Sequence, residues 1–393
     1  MKPVLIFKDT LLPYSETWLL AQAAALRDFS PYYVGLSRTA GGLPLPENRT
    51  FSLADGRCTG GRIRSLAYPV TRFDPGFFND VEQLGPALIH AQFERSGLYA
   101  APLAAKLRLP LITSCYGNDV TRHEVPGLKT SVRRMRRKQL CREGDLFIAI
   151  SRFIREKMIA RGYPEDRTVI HHLGIDLDVT FKEQPRARDS ATVLFVGRLV
   201  EKKGCEYLIR AAGSLRSAIP DLELVIIGDG PLRGALQVLA AEQAVSAQFL
   251  GSLPASEVSK WMARARVFCV PSMTARDGDS EGLGVVFCEA QAMGLPVVSS
   301  FHGGIPEVVE HGKTGLLAKE RDWQGLAANI HRILAHEALW NEYSAAGKRR
   351  VAAYFNLAIQ TRRLEEMYRK VIASRAESNK TSNKRELTAV VFS

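Results

Sequence analysis

The sequence predicts an α/β protein built as two open parallel-sheet domains that face each other across a cleft. Three observations lead there. The chain has 393 residues, enough for two ordinary domains with full cores. Short apolar runs alternate with helix-length segments, the pattern of parallel strands covered by helices. The alternation breaks once, at the polar stretch FKEQPRARDS (181–190), and then restarts.

In the first half, strands are predicted at 3–7, 32–36, 88–92, 111–115, 146–150 and 168–172, with helices at 16–27, 97–107 and 152–161. In the second, strands are expected at 192–197, 223–228, 247–251, 267–272 and 296–300. Helices at 204–218, 231–244, 255–264, 284–293 and 322–335 lie between them. Residues 338–373 read as helical, and the polar tail, 376–393, as disordered.

Composition narrows the class. The chain is 46% hydrophobic, with no apolar run long enough to span a bilayer. Met1–Phe7 reads as a first strand, too short in its apolar part for a signal peptide. Six cysteines form no C-x-x-C pair, so reduced thiols and a cytoplasmic location are expected.

Of the net charge of +12, the surplus of the first half is the size of one patch: KTSVRRMRRKQLCR (129–142) carries seven basic residues and no acidic one. Leu128, Val132, Met135 and Leu140 fall near one helical face, with Lys129, Arg133, Arg134, Arg136, Arg137 and Lys138 crowding the others. This suits a helix lying on an anionic membrane surface. The alternative is a solvated helix packed by its stripe. No aromatic cluster or binding module points to nucleic acid.

The segment EGLGVVFCEAQAMG (281–294) sets two carboxylates eight positions apart. Glu281 precedes the tight Gly282-Leu283-Gly284 turn. Glu289 sits in an apolar helix, where a charge is costly unless something pairs with it. Between them, the free amides of a helix N-terminus around Val285 attract phosphate. Arg198 and Lys203, in FVGRLVEKKG, follow a strand end and would neutralise a diphosphate there, unless they are ordinary surface charges. IGDGP (227–231) reads as a tight turn. DGD (277–279) reads as a solvated loop, with a divalent metal site as the alternative.

These blocks carry a resemblance. FVGRLVEKKGCEYLIRAA, IIGDGP, FLGSLPASEVSKWMARARVFCVPS and DSEGLGVVFCEAQAMGLPVVSSFHGGIPEVVEHGKTGLL resemble, in order and spacing, the C-terminal half of glycosyltransferase family 4. HAQFERSG, CYGNDV, ISRFIREKM and HLGID are similar to its N-terminal blocks, so the resemblance spans roughly residues 3–370. It implies a GT-B fold: facing Rossmann-like domains at 1–180 and 191–355, a 181–190 linker, and a crossover helix (356–375) returning to the first domain. It also implies metal-independent, retaining transfer from a UDP- or GDP-sugar to a lipid-linked or growing polysaccharide, as in exopolysaccharide-type members at the inner membrane.

By that resemblance, Glu289 binds ribose, Glu281 touches the donor sugar, and Arg198 and Lys203 grip the diphosphate with the Gly282–Val285 amides. Where members often have His-Gly-x-Asp, this chain has Tyr116-Gly117-Asn118-Asp119. Tyr116 and Asp119 are expected on the catalytic side, although a phenol does not carry a proton at neutral pH as imidazole does. In DTLLPYSETW (9–18), Ser15 or Glu16 faces the acceptor, or Ser15 caps the following helix. A nucleotide-sugar epimerase and a non-catalytic nucleotide-sugar-binding subunit are the alternatives.

Overall fold

The computed structural model describes residues 1–13, 16–55, 60–180 and 191–391. The strands of the first half are β1 (Lys2–Phe7), β2 (Thr10–Leu11), β3 (Phe29–Gly35), β4 (Ser37–Arg38), β5 (Thr50–Ser52), β6 (Leu88–Gln92), β7 (Leu111–Cys115), β8 (Leu146–Ala149) and β9 (Thr168–Ile170). Those of the second are β10 (Thr192–Val196), β11 (Glu223–Ile227), β12 (Ala247–Gly251), β13 (Val267–Cys269), β14 (Val297–Ser300) and β15 (Gly315–Ala318). They form two large parallel sheets, ordered β5-β3-β1-β6-β7-β8-β9 and β12-β11-β10-β13-β14-β15. The strand that opens each sheet is apolar in its central part because helices cover both faces: Val4 to Phe7 and Val193 to Phe195 are buried.

Each sheet starts at its middle and reverses there. The chain leaves β1 toward β3 and β5, then returns to β6 on the other flank of β1; β10 separates β11 from β13 in the same way. Such a reversal opens a crevice beyond the carboxyl ends of the central strands. Lys8 and Phe93 leave the first sheet there, and Arg198 and Ser272 the second.

The crevices meet. A side chain on Gly282 would bring its Cβ within 1.8 Å of the Tyr116 carbonyl oxygen, so only glycine allows the two domains to touch here. Ser151 Oγ donates to the Gly282 carbonyl at 2.6 Å. Glu307 reaches from the second domain to the amides of Arg152 (2.7 Å) and Phe153 (3.3 Å), which begin a helix of the first.

The expected 338–373 helix is two helices, Glu337–Tyr354 and Leu357–Val391. Asn356 breaks it, accepting the Ile359 amide with its side chain as the second helix begins. That second helix returns to the first domain. Leu364 and Tyr368 are buried with Val4, Ile6, Leu88 and Ile112. Tyr368 bonds His90 Nδ1 at 2.7 Å, and Glu365 accepts the amides of Arg27 and Asp28.

Other expectations need correcting. The backbone is helical through Val391, where disorder was expected from residue 376. The stretch has neither glycine nor proline, so a helix already nucleated upstream propagates through it. The short strands β5 and β15 and the Gly61–Thr71 and Pro75–Glu82 helices were not anticipated. The expected linker (181–190), Ser15 and Cys58 lie outside the described residues; the other five cysteines are unbridged.

Candidate active site

The second domain's lip of the cleft is built from the loops after β10 and β13. A 3-10 turn at Glu201–Lys203 follows β10 and aims two lysines across the lip. Lys202 Nζ lies 3.1 Å from Asp279 Oδ1, and Lys203 Nζ is ion-paired with Glu281. Burial works against the charge on Glu281, but Lys203 and then Lys202 outweigh it and hold the carboxyl at about 2. Arg198 is exposed on the same lip and enters no ion pair among the described residues.

Glu289 stands eight residues on, in the Val285–Ala292 helix. It is half-buried, burial raises its pKa, and none of the described residues hydrogen-bonds to its carboxyl. A structural carboxylate in an apolar helix would be satisfied by protein. Among the described residues, this one is left without such a partner.

One positioning residue escaped the sequence reading. His302 is buried, and its Nε2 accepts the Glu281 amide at 3.0 Å. That fixes the tautomer: Nδ1 carries the hydrogen and donates to Glu320 Oε1 at 2.7 Å. Burial lowers the His302 pKa against the pull of Glu320, keeping the ring neutral. Gly303, at φ 54, follows so closely under the loop that a Cβ would meet the Glu281 carbonyl oxygen at 2.1 Å. The available signal was a histidine directly before two glycines, twenty-one residues after the glutamate it braces.

The opposite lip is organised differently. Asp119 is buried and accepts three backbone amides: Tyr116 (3.1 Å), Gly117 (2.8 Å) and Glu94 (3.2 Å). It thereby ties down the loop that carries Tyr116. The Tyr116 ring packs 4.4 Å from Trp18 and 4.8 Å from Phe93, and its hydroxyl donates to Gln92. Burial pushes the phenol's pKa up, so it stays protonated. Glu16 pairs with Lys8 at 3.2 Å; burial raises its pKa, and its Oε2 has no partner.

One further expectation is overturned and another is altered. DGD is not a solvated loop. Asp279 is buried against Lys202, and Arg122 of the first domain reaches Asp277 (3.2 Å) and Asp279 (3.4 Å). The carboxylates are occupied by cations as a clasp across the cleft. Among the described residues no cluster of three or more His, Cys, Asp or Glu side chains is placed to hold a metal ion.

The basic helix, Leu128–Glu143, turns much of its charge inward. Arg137 is buried on Glu94 and Glu124, half-buried Arg133 pairs with Glu94, and exposed Arg134 pairs with Glu124. Arg136 donates to the carbonyls of Pro69 and Val70. Of the six expected membrane-facing cations, Lys129 and Lys138 alone are both exposed and outside these contacts. The stripe is split: Leu140 is buried, but Leu128 and Met135 are exposed.

Two facing parallel-sheet domains with a cationic, glycine-braced lip between them define the GT-B class of sugar-transferring enzymes. The profile described as Glycosyl transferases group 1 matches residues 178–350, and that of Glycosyltransferase Family 4 matches 18–179. The chain belongs to glycosyltransferase family 4 and is a hexosyltransferase. It is 34% identical over 278 residues to the amylovoran biosynthesis glycosyltransferase AmsK of Erwinia amylovora, covering 68% of this chain and 67% of AmsK. The GDP-mannose-dependent alpha-(1-6)-phosphatidylinositol monomannoside mannosyltransferase of Mycolicibacterium smegmatis is 34% identical, over 57% of this chain and 61% of its own. Among solved structures, Anabaena HepE in complex with UDP superposes with a TM-score of 0.74 at 20% identity, covering 94% of this chain and 100% of HepE. Sucrose-phosphate synthase from Thermosynechococcus elongatus gives 0.72 at 23%, covering 95% and 100%. Both share the fold.

Proposed function

We propose that this enzyme transfers a hexosyl unit, with retention, from a UDP- or GDP-sugar to a hydroxyl of a lipid-linked or growing polysaccharide. The work takes place at the cytoplasmic face of the inner membrane. One observation carries the reading: a Lys203–Glu281 pair beside free Arg198 and an unpartnered Glu289. Relatives support the donor and acceptor classes. UDP is bound in HepE, other relatives are named GDP-mannose-dependent, and AmsK is named for a polysaccharide.

In this reading Glu289 accepts the ribose hydroxyls, while Arg198 and Lys203 take the diphosphate oxygens with the amides that begin the Val285–Ala292 helix. Lys203 exchanges Glu281 for phosphate, and the freed carboxylate holds a hydroxyl of the donor sugar. The acceptor oxygen attacks the anomeric carbon from the face the diphosphate leaves. The electrons of the breaking C–O bond pass to the β-phosphate, which also takes the acceptor's proton. The protein supplies position and charge stabilisation. No step uses a metal, because Asp277 and Asp279 are engaged by Arg122 and Lys202.

A panel of nucleotide sugars tests it. The right donor raises the melting temperature. NMR of the product should then show the donor's anomeric configuration, formed at full rate in EDTA. An inverted product overturns the mechanism.

A further inference from the structure

Two neighbouring helices of the first domain expose apolar side chains that a core would normally claim. On Gly61–Thr71 and just beyond it, Ile63, Leu66, Val70 and Phe73 are 56–79% exposed. The spacing of the first three puts them on one face, and the buried residues of this helix are Gly61 and Tyr68. On and before Leu128–Glu143, Val125, Leu128 and Met135 are 64–82% exposed. The two sets adjoin, because Arg136 donates to the Pro69 and Val70 carbonyls and Arg72 donates to Gln139 at 3.0 Å. An apolar face this continuous marks an interaction surface.

Its charge selects the partner. Arg62, Lys129, Lys138 and Arg142 are exposed around the face, and none enters an ion pair among the described residues. They outnumber the exposed Glu143, which Gln139 bonds at 3.0 Å. A second copy docked about a two-fold axis would set these cations against themselves. An anionic bilayer matches both the apolar centre and the cationic rim.

We infer that the outer face of the Gly61–Thr71 helix, with the first turns of Leu128–Glu143, seats on an anionic lipid surface. The apolar half of this contact comes from the earlier helix, and the inward-turned arginines take no part. The face also adjoins the cleft: His123, two residues before Val125, donates its amide to the Asp277 carbonyl at 2.7 Å. A lipid-borne acceptor held at this surface would thus stand beside the donor-side lip. That last step rests on the acceptor reading above; the lipid contact itself does not.

Sedimentation with vesicles tests the contact, using phosphatidylcholine alone or with about 30 mol% phosphatidylglycerol, at low and high salt. The protein should bind the anionic vesicles and release in salt. Leu66→Asp/Val70→Asp should cut partitioning by at least about tenfold, as should Lys129→Gln/Lys138→Gln/Arg142→Gln. Both variants should keep the wild-type melting temperature and its rise with donor, so a failed lipid contact is distinguishable from a failed donor site. Should the aspartate pair unfold the protein, Leu128→Asp asks the same question from the other helix. Wild-type partitioning by the aspartate variants overturns the inference. So does a wild-type protein that ignores vesicles, or one that forms a dimer the aspartates disperse.

Discussion

The two lips of the cleft hold themselves together by different means. The second domain's lip is set by side-chain charge, Lys203 on Glu281 and Lys202 on Asp279, with neutral His302 bonded between the Glu281 amide and Glu320. The acceptor lip is set by backbone bonds and ring packing, with Asp119 gathering three amides under a Tyr116 ring that lies against Trp18 and Phe93. Charges can change partners without moving far, and in the proposed mechanism a departing diphosphate needs cations that do so. Packed rings cannot, which suits a surface whose task is to stay in place.

The sharpest way to break this contrast is Lys203→Ala. Turnover at saturating donor should fall by ~10²–10³, roughly 3–4 kcal/mol of transition-state stabilisation. Wild-type turnover would remove the donor lip from the chemistry. Asp119→Asn strikes the other lip and should act on stability, costing about 1–3 kcal/mol because an amide nitrogen now faces buried N–H groups. Chemical denaturation measures that cost, and the folded fraction should keep most of its turnover.

Smaller effects sharpen the contrast. Glu289→Gln should weaken nucleotide binding about tenfold, read by calorimetry, with turnover at saturation nearly kept. Tyr116→Phe removes one hydroxyl bond and keeps the rings, so turnover should drop no more than roughly threefold. The smallest effect is a constancy. The Glu281 pKa is depressed on folding, so its pairing stabilises above the ordinary carboxylate value and is lost as pH falls through about 2. The melting-temperature gap between wild type and Glu281→Gln should therefore hold from about pH 8 to about pH 5 and close below that range. A gap closing near neutrality would mean that Lys203 does not control this carboxyl.

Much of the donor lip was legible in the sequence. Glu281, the glycines and Glu289 lie within one short segment whose local chemistry is unusual. His302 was barely legible: its bond to the Glu281 amide is made by the fold, and the HGG triplet is a thin local signal for it. Arg137 misled for the same reason: seven cations within fourteen residues look solvated until Glu94, forty-three positions before Arg137, is found beneath it. The Gly61–Thr71 helix was missed because its apolar side faces outward, the reverse of the pattern that marks a core helix.

The returning helix has a consequence for how the chain is made. Val4, Ile6, Leu88, Ile112 and Ile148 emerge early in synthesis, but Leu364 and Tyr368, which lie with them, emerge more than 200 residues after Ile148. At cellular elongation rates that interval is roughly 10–40 s. Throughout it, the first sheet stands on the ribosome with part of one face uncovered, and His90 lacks its tyrosine partner. The first domain is finished last, and the nascent chain has to be kept from other sticky surfaces until its own end arrives.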